Sequence, residues 1–172
     1  MQPNKAKGYT LIELLVVIFI IGIVTGVALL SLGRHQQKTA FFVDELVEAL
    51  RYSEEQALFH TKPMGLMLNE HAYQFAAWQD TQTQTHAPAW VLSRDPQLRA
   101  HAIPDELQVA VKRRGVTVDL HRELKAHPII TFSEDGEMTP FVIEVDNQQE
   151  KVHYVITGEA NGEIESHRAY LD

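Results

Sequence analysis

GYTLIELLVVIFIIGIVTGVALLSL, Gly8 to Leu32, decides how this chain of 172 residues is built. From Leu14 to Leu32 there are 19 residues without a charge or a proline. At 1.5 Å per residue a helix of that length spans roughly 28 Å, close to a bilayer core. A core helix of a soluble domain rarely stays apolar on every face for so long. A secretory signal peptide is the nearer rival, but its apolar stretch is usually shorter and ends at a small-residue site. Here the run is long, and Glu13 opens it. A transmembrane helix is therefore expected over 9–33.

Before the span lies MQPNKAKG, residues 1–8, polar and carrying Lys5 and Lys7. After it come Arg34 and Lys38. The distribution of positive charge alone leaves the orientation open. The short N-terminal tail and the large C-terminal part fit a cytoplasmic N-terminus better. Net charge is -8, and losing residues 1–8 with their two lysines takes it to -10. An acidic exported part repels nucleic acid and anionic headgroups on average. The partners expected are protein and the bilayer interior, with no nucleic acid. There is no cysteine, which excludes disulfides and thiolate sites.

Beyond the span the helix changes character. Val43, Leu46, Val47 and Leu50 recur at i, i+3, i+4, i+7, and Ala57 and Leu58 extend the stripe. Glu45, Glu48, Glu54 and Glu55 take other faces. No proline interrupts 9–62, so one helix is expected from about Thr10 to about His60, amphipathic over 34–62 and loosened at Gly33. Pro63 ends it.

From Met64 the apolar period is two. Strands are expected at 64–68, 72–78, 89–92, 99–103, 107–111, 116–120, 129–132, 140–145, 152–157 and 163–170. Their separators include Asn69–His71, KRRG, EDGE, DNQQE and EANG. DTQTQTHAP, 80–88, reads as an exposed loop. The expected class is α+β: a long N-terminal helix packed by its amphipathic half on a C-terminal antiparallel, sandwich-like head over 63–172. Tyr73, Phe75, Trp78, Trp90 and Phe141 are expected in the core or at sheet edges.

Glu13 is the most informative single residue. A carboxylate at the bilayer edge costs roughly 2.5–3.5 kcal/mol on insertion scales. Cutting the chain after Gly8 would create an α-amino group at Tyr9. That cation can neutralise a carboxylate in a neighbouring subunit and so set the stagger between subunits. The plainer alternative is a side chain that snorkels to the headgroups. Gly22 and Gly26 form Gly-x-x-x-Gly, which lets helices approach closely, although glycine is common in membrane helices anyway.

Gly8–Tyr9–Thr10–Leu11–Ile12–Glu13 and the run after it resemble the type IV prepilin motif, with tyrosine in place of the usual phenylalanine. That resemblance implies cleavage after Gly8 by a prepilin peptidase and N-methylation of Tyr9 by the same enzyme. It also puts Glu13 at the motif's acidic fifth mature position. LVEALRYSEEQALFHTKPMGLMLNEHAYQF and ITFSEDGEMTPFVIEV, followed by YVITGEANGEIE, resemble the GspH/FimT pseudopilins, most of all the H-type minor pseudopilins of type II secretion. The resemblance is looser over 80–125. It implies a β-rich head on the N-terminal helix and a place at or near the tip of a periplasmic pseudopilus. The implied partners are other minor and major pseudopilins, the peptidase and the inner-membrane secretion platform. The implied location is the inner membrane, crossed once, with the head in the periplasm. A minor type IV pilus pilin is the alternative reading.

Chemistry is not expected. Nine histidines show no H-E-x-x-H, and His121 and His127 stand six apart in a stretch that reads as a loop, so no metal or cofactor is expected. Ser133 and Asp135 lie in a turn sequence without G-x-S-x-G, so no catalytic residue is assigned. Lys112–Arg113–Arg114 reads as a solvated turn more readily than as a nucleic-acid site.

Overall fold

The computed structural model describes residues 11–80, 88–120 and 127–170; the side chains of 27–37 and 170 lie outside the description. The leader 1–8, Tyr9, most of the 80–88 loop and His121 are therefore outside it as well. Two compact units result, residues 1–38 and 39–172.

One helix, α1, runs from Leu11 to His60. Its end matches the proline signal: Thr61 takes a positive φ of 51°, and the Lys62 N–H donates to Ala57 O at 3.2 Å. Within the second unit Val43, Leu46, Val47, Leu50 and Ala57 are all buried, as the helical period requires. Leu58 is not: it is 45% exposed. At 100° per residue, position 57 falls within about 20° of Leu46 and Leu50, whereas position 58 turns about 80° past Leu50. The stripe thus ends on Ala57 alone. Burying each Leu or Val here contributes about 1.5–3 kcal/mol relative to an exposed side chain.

Among the described residues ten strands follow: β1 (Met64–Leu68), β2 (Ala72–Gln79), β3 (Ala89–Leu92), β4 (His101–Ala102), β5 (Gln108–Arg113), β6 (Val116–Thr117), β7 (Ile130–Phe132), β8 (Phe141–Asn147), β9 (Val152–Gly158) and β10 (Ile164–Tyr170). They form two antiparallel sheets. One has the order β3-β2-β1-β7, with β4 also on β2; the other has the order β10-β9-β8-β5-β6. The fold is α+β.

The strand alternation is carried most clearly by β8 and β9. Phe141, Ile143, Val145 and Asn147, and opposite them Val152, Tyr154, Ile156 and Gly158, point inward and are buried; their neighbours are half-buried. Central β1 breaks the alternation because every residue of MGLML is buried. Its edges pair with β2 and β7, and both of its faces are covered, which leaves no solvent face to mark with a polar residue. A single core draws Leu46 and Leu50 of α1, Leu66 and Phe75 of the first sheet, and Ile143 and Ile156 of the second.

Three strand readings need correction. The expected 99–103 strand shrinks to His101–Ala102, because Asp95–Leu98 is a turn in which Leu98 N donates to Asp95 O at 3.0 Å. The 116–120 strand stops at Thr117, although Val118 N still reaches Val111 O at 2.8 Å. KRRG is not all turn: Lys112 and Arg113 belong to β5, and only Arg114–Gly115 forms the turn. EDGE is the turn its composition suggests, with Gly136 N donating to Ser133 O at 3.3 Å and Gly136 at φ 85°. EANG closes similarly, through Gly162 N to Glu159 O at 3.1 Å.

Candidate functional site: the N-terminal helix and its polar anchors

The first unit consists, where described, of the apolar start of α1. Leu11, Ile12, Leu14, Ile18, Phe19, Ile21 and Val24 are all exposed, so apolar surface faces outward on every side. Water is a poor solvent for such a helix; lipid or neighbouring helices would cover it. Among the described residues no helix is long and apolar enough to cross a membrane. Residues 11–26 rise only roughly 24 Å, and 27–33, which complete the apolar run, lie outside the described side chains.

Glu13 lies near the start of the described part of α1. Gly22 and Gly26 lie one turn apart, and a Cβ added at either would meet no described atom within 4 Å. Gly8 and Tyr9 fall outside the described residues.

In the second unit, polar side chains of α1 anchor the sheets and loops. Thr39 Oγ1 donates to Glu150 Oε2 at 2.8 Å and accepts from Asn147 Nδ2 at 3.0 Å; Thr39 and Asn147 are both buried. Asn147 Oδ1 in turn accepts the Gln149 and Glu150 N–H groups, which fixes the β8–β9 turn. Glu45 Oε1 meets His101 Nδ1 at 2.9 Å, and the His101 ring stacks on Tyr73. Tyr52 donates to Asp95 Oδ2 at 2.9 Å. Arg51 donates to Ile164 O at 2.8 Å.

Titration follows these surroundings. The Tyr52 hydroxyl is raised, first by its hydrogen bond to Asp95, then by burial and the charges of Asp95 and Glu55. Burial, with the Glu45 charge adding to it, pushes the Tyr73 hydroxyl far above the usual range. Glu54 is raised by burial and then by Glu55, against a smaller opposing effect of Arg51. Ser133 and Asp135 serve their turn: Ser133 N donates to Glu137 O, and Asp135 Oδ1 accepts the Glu137 N–H. No cluster of three or more His, Asp or Glu among the described residues could hold a metal. Sequence reasoning missed the Thr39–Asn147 pair and His101. The available signal was a hydroxyl on the helix at the edge of the apolar stripe and an asparagine at a buried β8 position.

The helix that begins as bare apolar surface and ends as a core element matches two known patterns. The prokaryotic N-terminal methylation motif matches residues 3–29. The type II transport protein GspH family matches residues 43–162, from within α1 to the turn before β10. The chain belongs to the GspH family. Type II secretion system protein H of Aeromonas hydrophila is 25% identical over 174 residues, covering 94% of this chain and 92% of that one. The protein of the same name from Pseudomonas aeruginosa is 25% identical over 149 residues, covering 80% and 81%. Among solved structures, the minor pseudopilin EpsH of the Vibrio cholerae type 2 secretion system superposes with a TM-score of 0.58 at 14% identity, over 75% of this chain and 95% of that one. GspH of E. coli gives 0.54 at 14% identity, over 72% and 83%. At those identities the likeness is one of fold: a GspH-type α+β head.

Proposed function

We propose that this GspH-family chain is a minor pseudopilin of a type II secretion system. It is a structural subunit at or near the tip of the periplasmic pseudopilus, supporting export of folded proteins across the outer membrane. The observation that carries the reading is one continuous helix, α1, that bears the N-terminal methylation motif at its start and enters the GspH match before its end. In this reading 1–8 is a leader removed by the prepilin peptidase after Gly8, and Tyr9 becomes the methylated N-terminus. Residues 9–33 cross the inner membrane once, 34–62 form the amphipathic helix, and 63–172 form a sandwich-like head in the periplasm. Its partners are the other minor pseudopilins, the major pseudopilin, the peptidase and the inner-membrane platform. Gly22 and Gly26 provide the face for helix packing. Glu13 pairs with a Tyr9-type α-amino group of a neighbouring subunit.

Glu13 supplies the test. Glu13→Leu removes a charge from the bilayer edge, so insertion and cleavage proceed normally. A partner amine left buried without its counter-charge costs about 3–5 kcal/mol if well desolvated. Recruitment into complexes with other minor pseudopilins, read by crosslinking from membranes, therefore falls, and reporter secretion falls with it. Glu13→Asp is milder. Normal recruitment and secretion by Glu13→Leu would remove the pairing mechanism.

A further inference from the structure

The head carries a basic concavity in a chain that is acidic on balance. It lies at the β5–β6 hairpin, encloses about 580 Å³, and is lined by Arg113, Arg114, Val116, Thr117, Val118 and Thr139. Among the described residues no carboxylate lines it. The three consecutive cations of this hairpin are not equivalent. Lys112 is neutralised, with Nζ 2.6 Å from Glu144 Oε1. Arg113 reaches only the Ile129 carbonyl, at 3.4 Å, and neither Arg113 nor Arg114 forms an ion pair among the described residues. Both are exposed, in a chain with 23 acidic against 15 basic residues.

Turn chemistry adds a second observation. Arg114 has φ 50° and Gly115 has φ 78°, so both central residues of this two-residue turn lie in the left-handed region. Asparagine or aspartate before glycine is the usual solution there; a long cation is not. Lys151 breaks the same rule at φ 51°, so the conformation by itself marks no site; at Arg114 it belongs to a cation that lines the concavity. Val116, 69% exposed, adds apolar surface beside the two guanidinium groups.

We propose that this concavity is a docking site for a carboxylate-bearing, partly apolar segment of a partner protein. Charge complementarity selects the occupant. Two guanidinium groups form bidentate bonds with one or two carboxylates, and Val116 and Val118 pack against the apolar side chains between them. Nucleic acid fits worse. Its backbone carries a charge about every 1.7 Å and needs a longer tract of cations than two. It would also extend beyond the roughly 10 Å screening distance into the acidic remainder of the head, which a short peptide avoids. No described residue of α1 lines this site, and it does not depend on the assembly role proposed above.

The test uses the full chain in zwitterionic detergent and a fluorescent peptide alternating glutamate and valine, followed by anisotropy. Binding should be saturable and should weaken with added salt. Arg113→Gln with Arg114→Asn should lower affinity about tenfold or more. Asparagine keeps the left-handed turn, and an unchanged circular dichroism spectrum checks the fold. Lys112→Met should leave affinity within about twofold, because that cation is already paired. Absence of peptide binding at low salt would overturn the proposal. So would equal binding by the double variant, or a short DNA duplex that displaces the peptide and binds more tightly than it.

Discussion

Asn147, the last residue of β8, donates its side-chain amide to the hydroxyl of Thr39, 108 residues earlier on α1, across 3.0 Å. Thr39 passes the interaction on to Glu150, and the Asn147 oxygen holds the two N–H groups of the following turn. Every polar group of this buried pair that the sheet does not use is thus engaged between helix and turn. Thr39→Val keeps the shape but leaves the Asn147 amide without its acceptor, which costs about 1–3 kcal/mol. Asn147→Ala should cost at least as much, because it also frees the turn. Denaturant unfolding of single and double variants checks this. The two losses should be clearly less than additive, since the residues share one network.

Gly158 ends β9 with its α-carbon against the Phe141 ring, and a Cβ added there would collide with ring carbons of Phe141. Its φ is not positive, so the constraint is space rather than backbone conformation. Gly158→Ala should destabilise the head by about 1–3 kcal/mol. Phe141→Leu, which costs stability alone, should recover part of the loss in the double variant. Thermal unfolding of the three proteins reads the coupling.

Glu54 offers a pH test. Its carboxyl is raised by burial and by Glu55, so the folded state disfavours the charged form. A group raised on folding contributes stability below its unfolded value, and that contribution is lost as pH rises through the folded value. Glu54→Gln should therefore be more stable than the native chain at neutral pH. The advantage should shrink as pH falls and vanish once the native carboxyl is protonated in both states. Chemical denaturation at a series of pH values checks the sign; a difference that grew on acidification would reverse it.

Processing at Gly8–Tyr9 gives the fourth prediction. Intact mass and N-terminal sequencing of protein from membranes of peptidase-positive cells should find Tyr9 first, carrying a methyl group. Gly8→Ala should be cut more readily than a bulky replacement, because the peptidase must close on extended backbone at the bond. A predominant Met1 form would refute the leader.

Sequence alone determined the long helix, the switch from all-round apolarity to a stripe, and most strand positions from β1 to β10. Those features are local. A period of 3.6 or 2 and a turn such as EDGE or EANG are readable within a dozen residues. Val43, Leu46, Val47, Leu50 and Ala57 could be placed on one buried face without knowing what covered them. Tertiary structure alone decided which side chains meet. Leu58 turned out to face solvent, Lys112 to pair with Glu144 while Arg113 and Arg114 stayed unpaired among the described residues, and Thr39 to close on Asn147 and Glu150. Periodicity reports the direction of a side chain from its own element. The order β10-β9-β8-β5-β6, and the way α1 meets it, brings residues more than a hundred positions apart within hydrogen-bond distance. That encounter depends on chain topology, which no local pattern encodes.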